Sequence, residues 1–491
     1  MGQISMFQIS LGQYYKGDCE GCNQPITSVS TASCSTILWR SLLVFHQRRF
    51  FTPQQGRLSS GLKKEEEKMG GLKNHLPLPT GPSGRVADVA STRGEIHRRF
   101  LSVLRNLGSS IGLLLQKTDE ADVFAHQDEW PTWLPHEEKF IEGFSRFYGI
   151  WEAPLGFFFR NFVGHTYVAM LKERPVSKAK DKFPVIIFSH GLSAFRSCYS
   201  VLSTEMASWG YIVINCEHRD GSAAASLHDT RGSQCDEPTE DLESVMEWIK
   251  IDINPRGIRT GYDDYELRFR QLTHRVEEVE STRRLAEQLN QGTLDLLKVT
   301  WPENKSCLQY FKDRLDMSKM ILAGHSFGGA TTMMTLTKQP KHFLAGIVLD
   351  GWMFPLKEHR EQLTNIDVPC LYINLEQMWT EAMYTILRKA ITNDKQEVVM
   401  IRGSNHEHQS DAGYIFSNKK IVNFFSKIML FGSSKVHHDT TMRLNNAMIM
   451  KFIWEIFGDA PNQETLDVIP AHEDLIVRGI PESRCKIPAK A

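Results

Sequence analysis

One serine of this sequence lies in a setting typical of a catalytic nucleophile. Ser326 is at the centre of GHSFG (residues 324–328), which matches G-x-S-x-G, follows the apolar run MILAG and precedes small residues. We expect a strand, a sharp turn and a helix here, with strained backbone at the serine and glycines where side chains would clash. Such a turn places the Ser326 hydroxyl at a helix N-terminus, where developing negative charge is favoured. The alternative is a glycine-rich helix start that only packs tightly.

A nucleophilic serine needs a histidine base and an acid that orients the histidine. In hydrolases with this turn, the chain order is serine, acid, histidine. Asp350 ends the apolar run GIVLD, and His406 follows the run EVVMI, so the order is met. Two alternatives remain open at this point. Glu376 ends the next predicted strand and could be the acid, and His408 could replace His406 as the base.

The same reaction needs two backbone N–H groups that stabilise the oxyanion of the tetrahedral intermediate. The first is expected from the residue after the nucleophile, which is Phe327. The second is expected from the loop after an earlier strand. The segment FSHGLSAF (188–195) provides such a loop, with Leu192 as the predicted donor.

These residues lie at the ends of short apolar runs that predict buried strands. Each run is rich in β-branched or large apolar residues between turn residues, which is typical of strands covered on both faces of a parallel sheet. The predicted strands lie within 183–191, 210–220, 320–324, 345–351, 369–376 and 397–404. Helices are predicted over 241–251, 265–290 and 328–339. The alternation predicts an α/β protein with a mostly parallel sheet, whose site forms at the carboxyl ends of the strands.

Composition and charge restrict the broad class of protein. The chain has 491 residues, of which 41% are hydrophobic and 23% charged, a balance typical of a globular protein with a sizeable core. The formal net charge is -1, and we find no basic patch with interleaved aromatics that would indicate nucleic acid as a partner. The chain has nine cysteines, an odd number, and their spacing is irregular. This argues against a disulfide framework and favours a reducing compartment.

The N-terminal part of the chain differs from the rest. Residues 1–60 contain only two acidic residues, with many Ser and Thr and several Arg, and so resemble a mitochondrial transit peptide. We predict a disordered or targeting extension over 1–75 and a catalytic domain over 76–491, best supported over 130–430. No apolar run is long enough to span a bilayer, and no clear signal peptide is present. The predicted location is therefore cytoplasmic, with mitochondrial targeting as the alternative.

Five motifs occur in the order found in the platelet-activating factor acetylhydrolases, which the chain therefore resembles. They are FSHGLSAFRSCYS (188–200), CEHRDGSAAAS (216–226), GHSFGGAT (324–331), LDGWMFPL (349–356) and IRGSNHEH (401–408). The resemblance implies an α/β-hydrolase fold. It also implies Ser326 as nucleophile, Asp350 as acid and His406 as base, with Leu192 and Phe327 as oxyanion donors.

The resemblance further implies an activity on phospholipids. The family hydrolyses the sn-2 ester of phospholipids whose sn-2 chain is acetyl, short or oxidatively truncated, and it requires no calcium. For this chain we predict no metal and no other cofactor. A general carboxylesterase or neutral lipase on the same fold is the alternative enzyme. A binding protein without catalytic activity is a third hypothesis, which the presence of all three triad candidates disfavours.

Aromatic residues near the predicted site indicate how lipid could be bound. The segment at 144–164 is rich in phenylalanine, and it is either buried in the core or set into a membrane surface. Its predicted membrane contacts are Phe157 and Phe158. Three residues that follow Asp350 are expected to line the acyl pocket or its rim, with ordinary core packing as the alternative: Trp352, Met353 and Phe354.

Two features depart from the family pattern. Ser193 stands where relatives often have glycine, so its side chain could crowd the oxyanion loop or add a hydroxyl near it. Residues 76–125 resemble the family poorly, and early strands are difficult to recognise there. IGLLL at 111–115 is either a strand or the end of a helix.

Overall fold

A computed structural model shows that the protein is built around a ten-stranded sheet. The structure describes residues 76, 86–88, 111–117, 129–229, 246–253, 264–294, 305–417 and 434–480. The strands are β1 Val86–Asp88, β2 Ile111–Lys117, β3 Leu171–Lys172, β4 Phe183–Ser189, β5 Ile212–Cys216, β6 Ala225–Asp229, β7 Met246–Lys250, β8 Leu315–His325, β9 Ala345–Leu349, β10 Cys370–Leu375, β11 Gln396–Ile401 and β12 Ile476–Arg478. The helices are α1 Glu137–Tyr148, α2 Glu152–Phe162, α3 Ser200–Ser208, α4 Tyr265–Gln291, α5 Phe327–Lys338, α6 Glu381–Ala390, α7 Ala412–Ser417, α8 His438–Phe457, α9 Gln463–Leu466 and α10 Val468–Ala471.

The sheet is mostly parallel. Its strand order is β12-β11-β10-β9-β8-β4-β5-β2-β1-β3. The six strands from β11 to β5 run parallel to one another, whereas β12 and β2 join them antiparallel. All six of these parallel strands correspond to runs predicted from the sequence, so that prediction is confirmed. The carboxyl ends of β4, β8, β9, β10 and β11 therefore lie side by side.

Both faces of the parallel strands are covered by apolar side chains. Along β8, Ile321 and Ala323 pack in the cluster on one face, and Met320 and Leu322 pack in the cluster on the other. This alternation follows from the period of two in a strand. Because neither face meets water, the sequence of each strand reads as a continuous apolar run.

The helix α4 is fixed by both of its caps. The side chain of Asp264 accepts a hydrogen bond from Leu267 N at 3.2 Å, and the chain leaves the helix through Gly292, whose φ is 66°. A side-chain acceptor at the start and a left-handed glycine at the end are common helix boundaries. The helices predicted over 265–290 and 328–339 are confirmed as α4 and α5.

The prediction of a helix over 241–251 is wrong for the residues of this range that the structure describes. Residues 246–250 form β7, which pairs antiparallel with β6 in a separate two-stranded sheet. Trp248 of β7 makes edge contacts with the rings of His136 and Phe140. Pairing and packing with distant segments thus override the local helical pattern.

The ambiguous segment near residue 111 is a strand. Ile111–Lys117 pairs antiparallel with β5 on one side and with β1 on the other. Early strands are therefore present in the region that resembles the family poorly. The predicted extension over 1–75 lies outside the described residues.

Candidate active site

Ser326 lies on a strained turn between β8 and α5. Its φ is 56° and its ψ is −117°, a conformation that non-glycine residues rarely adopt. A Cβ atom on Gly324 would lie 2.2 Å from Gly328 O, and one on Gly328 would lie 1.9 Å from Ser189 O. Glycine is therefore required at both positions. The strained strand–turn–helix predicted from G-x-S-x-G is present.

Backbone hydrogen bonds join the turn to the end of β9. Ser326 N donates to Leu349 O at 2.9 Å, and Trp352 N donates to Ser326 O at 2.8 Å. These two bonds flank Asp350, whose own φ is 41°. The carboxylate is consequently held beside the serine turn by rigid backbone.

Asp350 and His406 form a direct pair. Asp350 Oδ2 lies 2.6 Å from His406 Nδ1, and Asp350 Oδ1 accepts a hydrogen bond from Leu375 N at 3.0 Å. The carboxylate is buried, and 18% of the His406 side chain is exposed. Burial lowers the pKa of His406, but the hydrogen bond and negative charge of Asp350 outweigh it, so the pKa is raised from 6.5. Since the Nδ1–H is bound, Nε2 is the nitrogen left for proton transfer.

The two alternative residues have other partners. Glu376 Oε2 accepts a hydrogen bond from Gly403 N at 2.6 Å and so supports the loop that carries His406. His408 is buried, and its Nδ1 lies 3.0 Å from Thr441 Oγ1. Burial lowers the pKa of His408 to about 4. The structure thus brings neither alternative into the Asp350–His406 pair.

The two segments that carry the predicted oxyanion amides meet at the serine. A Cβ atom on Gly191, next to Leu192, would be 3.2 Å from Ser326 Cβ, and Phe327 is the first residue of α5. Among the residues that the structure describes, no acceptor is bonded to the amide of Leu192 or Phe327. Ser193 has a φ of 56° and tolerates the left-handed conformation expected of glycine at this position.

A buried tyrosine and histidine, which sequence reasoning missed, connect the three loops of the site. Tyr199 OH accepts a hydrogen bond from Gly191 N at 3.0 Å and lies 2.8 Å from His325 Nδ1. His325 Nε2 lies 3.2 Å from His406 O, which can only accept, so His325 donates there and accepts from Tyr199. Burial, with the charge of His406, keeps the pKa of His325 well below 6.5 and the ring neutral. The position of His325 inside G-x-S-x-G was the available signal.

Three residues after Asp350 differ in exposure. The Trp352 ring makes an edge contact with Phe327 and stacks on Phe354. Trp352 and Phe354 are half-buried. Met353 is buried and lines a small cavity together with Asp350 and Trp379. Met353 is therefore excluded from contact with a membrane surface, while Trp352 and Phe354 are reachable from solvent.

The aromatic segment at 144–164 forms the end of α1 and all of α2, and its residues divide into two groups. Trp151 is 83% exposed and Phe157 is 57% exposed. Phe158 is 3% exposed and packs on Phe159 and Phe416. The prediction that Phe158 contacts a membrane is wrong, because successive residues of a helix point in different directions and Phe158 points into the core.

Among the residues that the structure describes, no helix is both long and apolar enough to cross a membrane. No group of three or more His, Cys, Asp or Glu side chains in the described part of the chain is arranged to hold a metal ion.

The sheet and the serine turn define the class of protein as an α/β hydrolase. A ferulic acid esterase from Streptomyces cinnamoneus has a similar structure, with a TM-score of 0.50 and 13% identity over 83% of this chain and 99% of that chain. The family model for platelet-activating factor acetylhydrolase, isoform II, matches residues 114–470. The chain belongs to the platelet-activating factor acetylhydrolase family, as the sequence motifs indicated.

Individual relatives agree with the family match. The platelet-activating factor acetylhydrolase of Gallus gallus is 32% identical over 326 residues, which are 65% of this chain and 72% of that protein. The platelet-activating factor acetylhydrolase of Bos taurus is 29% identical over 349 residues, 70% of this chain and 72% of that protein. A putative phospholipase A2 of Schizosaccharomyces pombe is 30% identical over 325 residues, 58% of this chain and 67% of that protein.

Proposed function

We propose that the protein is a calcium-independent serine esterase that removes the acetyl or a short or oxidised sn-2 acyl group of platelet-activating factor and related phospholipids. The observation that carries the proposal is the 2.6 Å Asp350–His406 pair at the strained turn of Ser326. The names of the relatives support the substrate class. The independence from calcium rests on the family resemblance.

In the proposed reaction, Ser326 Oγ attacks the sn-2 carbonyl while His406 Nε2 accepts the hydroxyl proton. Asp350 holds the imidazole through Nδ1 and stabilises the imidazolium that forms. The amides of Leu192 and Phe327 bind the oxyanion. His406 then protonates the leaving oxygen of the lysophospholipid. Water activated by His406 attacks the acyl-enzyme, which releases acetate or a short acid and regenerates the serine.

The substrate class is tested by the release of acid from a panel of esters. Platelet-activating factor, a long-chain phosphatidylcholine, a triacylglycerol and a soluble acetate ester are compared with and without a calcium chelator. We expect the acetylated phospholipid to be preferred over the two long-chain lipids and its turnover to survive chelation. A preference for the triacylglycerol or the soluble ester would replace the phospholipid assignment with a neutral lipase or general carboxylesterase. Loss of turnover on chelation would contradict the calcium-independent mechanism.

Contact with a lipid surface is the second part of the proposal. Trp151, the N-cap of α2, and Phe157, in the middle of α2, are exposed aromatics suited to shallow insertion at an interface. Replacement of both by alanine should weaken sedimentation with phosphatidylcholine vesicles while leaving hydrolysis of a soluble ester intact. Alanine at Leu344, which is 39% exposed elsewhere, is the matched control. Equal sedimentation of all variants would remove this surface from the proposal.

We propose a cytoplasmic location with transient membrane contact, and targeting to mitochondria by residues 1–75 as the alternative. Cys198, Cys216, Cys307 and Cys370 are free buried thiols, which a reducing compartment suits. Fractionation of cells that express the full chain or the chain from residue 76 separates the two locations. Mitochondrial recovery of the full chain alone would favour the alternative.

A further inference from the structure

A single buried arginine contacts both segments that carry the proposed oxyanion amides. Leu192 follows β4, whereas Phe327 begins α5, so the fold must set the relation between two separate pieces of chain. Arg275 lies in α4, and its side chain is fully buried. A fully buried arginine is costly unless its charge and its donors are satisfied. The groups that the Arg275 side chain contacts therefore indicate its role.

The first contact is with the loop after β4. Arg275 Nη1 donates to His190 O at 2.6 Å, and Nη2 lies 3.5 Å from Gly191 O. His190 Nδ1, at 2.8 Å, and Ala194 N, at 3.3 Å, also donate to Gly191 O. Gly191 C=O and Leu192 N–H belong to one planar trans peptide and point in opposite directions. Donors on the carbonyl side therefore fix the direction of the Leu192 N–H and polarise it as a donor.

The second contact is with the residue that supplies the other amide. Arg275 Cζ lies 4.3 Å from the centroid of the Phe327 ring. This is within the range of a cation–π interaction, which is strongest where both partners are desolvated. The Phe327 ring is buried, so the interaction restrains the first turn of α5.

Two residues of the motif at 216–226 hold the guanidinium in place. Asp220 Oδ2 accepts a hydrogen bond from Arg275 Nε at 3.1 Å, and Ser222 Oγ accepts one from Nη2 at 2.6 Å. Ser222 O in turn accepts from Ser193 N at 2.8 Å. The arrangement compensates the buried charge and connects the arginine again to the loop after β4. It also gives a role to a motif that the proposed reaction leaves unexplained.

We propose that Arg275 is a positioning residue that sets the orientation of the Leu192 and Phe327 amides toward the oxyanion. The inference rests on the proposed function, because it assumes that Ser326 forms a tetrahedral intermediate. Lysine retains the positive charge but lacks the planar fork that reaches several acceptors at once. Arg275→Lys is therefore the informative variant, and Arg270→Lys is its matched control on the same helix, where 74% of the side chain is exposed.

The experiment compares a p-nitrophenyl ester with its thionoester, in which sulfur replaces the carbonyl oxygen. Sulfur is a weak hydrogen-bond acceptor, so correctly oriented amides accelerate the ester much more than the thionoester. We expect Arg275→Lys to lower kcat for the ester by roughly 10- to 100-fold. Removal of one oxyanion donor lowers kcat by more, about 10²- to 10³-fold. KM should change little, and the ratio of ester to thionoester rates should fall. Arg270→Lys should leave the ratio unchanged.

Labelling with a fluorophosphonate to completion counts the active sites. Rates are then expressed per active site, so misfolded protein does not lower them. If Arg275→Lys folds poorly, Asp220→Asn loosens the arginine with less change of volume, and the rate ratio should again fall. An equal loss on both substrates, or an unchanged ratio, would show a structural role and overturn the inference. A folded wild-type protein that neither hydrolyses esters nor takes the label would instead refute the proposed function, on which the inference depends.

Discussion

Two serine–histidine–carboxylate arrays lie at the ends of the neighbouring strands β8 and β4. In the first, Asp350 Oδ2 is 2.6 Å from His406 Nδ1 beside Ser326. In the second, Ser189 Oγ is 2.7 Å from His218 Nε2, and His218 Nδ1 is 2.7 Å from Glu278 Oε2. By contacts alone, the second array is the more complete, because no hydrogen bond joins Ser326 Oγ to another described side chain. Connectivity therefore does not distinguish a catalytic array from a structural one.

Exposure and electrostatics do distinguish them. Ser326 is 8% exposed, whereas Ser189 and His218 are fully buried. The pKa of His406 is raised from 6.5. Burial and the charge of Arg275 lower the pKa of His218 in spite of its bond to Glu278. A base must be reachable and must titrate in the working range, so only the first array suits catalysis, and the second ties β4, the loop after β5 and α4 together.

The largest expected difference between the arrays is at their serines. Ser326→Ala should lower kcat by about 10⁶-fold, as for removal of a triad nucleophile. Ser189→Ala should leave kcat per folded molecule within a few-fold of wild type, because its hydroxyl bonds the buried His218 and has no part in the reaction. Acetate release from platelet-activating factor measures both variants. A large loss in Ser189→Ala with normal thermal stability would give the buried array a role in catalysis.

The histidines give a similarly large contrast. His406→Ala should abolish turnover, since it removes the base, with a loss of about 10⁶-fold. His408→Ala should be far milder, because His408 bonds Thr441 and takes no part in the pair. Steady-state kinetics on the same ester measure both variants. Equal losses would contradict the assignment of His406.

The acid of the first array gives the next largest effect. Asp350→Asn should lower kcat by about 10⁴-fold, because the amide no longer selects the correct tautomer of His406. Glu376→Gln is the control, since Glu376 bonds Gly403 N, and it should retain most activity. A milder effect for Asp350→Asn than for Glu376→Gln would exchange their roles.

The carboxylate of the second array should affect stability instead of catalysis. Glu278 also accepts a hydrogen bond from Arg219 N at 3.1 Å and is buried. Glu278→Gln should reduce the free energy of unfolding by about 1.5–3 kcal/mol, the usual range for a hydrogen bond to a charged group. Denaturant unfolding measures the change, with turnover per labelled site as the second readout. Unaltered stability together with a large fall in turnover would make the buried array functional.

The smallest effects are expected in the pH profile. His406 works as a base only when neutral, and its pKa is raised, so kcat/KM should fall on the acid side with a midpoint above 6.5. Asp350 contributes most of the rise and Glu407 adds to it. Glu407→Gln should therefore move the midpoint to lower pH while leaving the plateau rate intact. A midpoint that moves to higher pH would assign the acid limb to another group.

The sequence predicted the strands and the serine turn well because both depend on local physics. Strands buried on two faces require continuous apolar runs, and the close backbone approaches around the Ser326 turn require Gly324 and Gly328. Asp350 and His406 followed from their places at strand ends. Only the family resemblance favoured them over Glu376 and His408, because the sequence does not reveal that Glu376 bonds Gly403.

Features that depend on distant contacts were missed. β7 is set by its pairing with β6 and by the packing of Trp248, which no local pattern reveals. The direction of Phe158 depends on where α2 docks. Arg275 lies in a helix rich in charged residues, and its burial follows only from the way α4 crosses the sheet.

Ser326 is established as the nucleophile when the serine that reacts is identified directly. The wild-type protein is treated with a fluorophosphonate until activity is lost, and the modified residue is identified by mass spectrometry of its peptides. We expect one adduct, on Ser326, with loss of turnover proportional to its formation and with Ser189 unmodified in the same sample. An adduct on Ser189 or another serine, or full activity in a stoichiometrically modified protein, would contradict the assignment of Ser326.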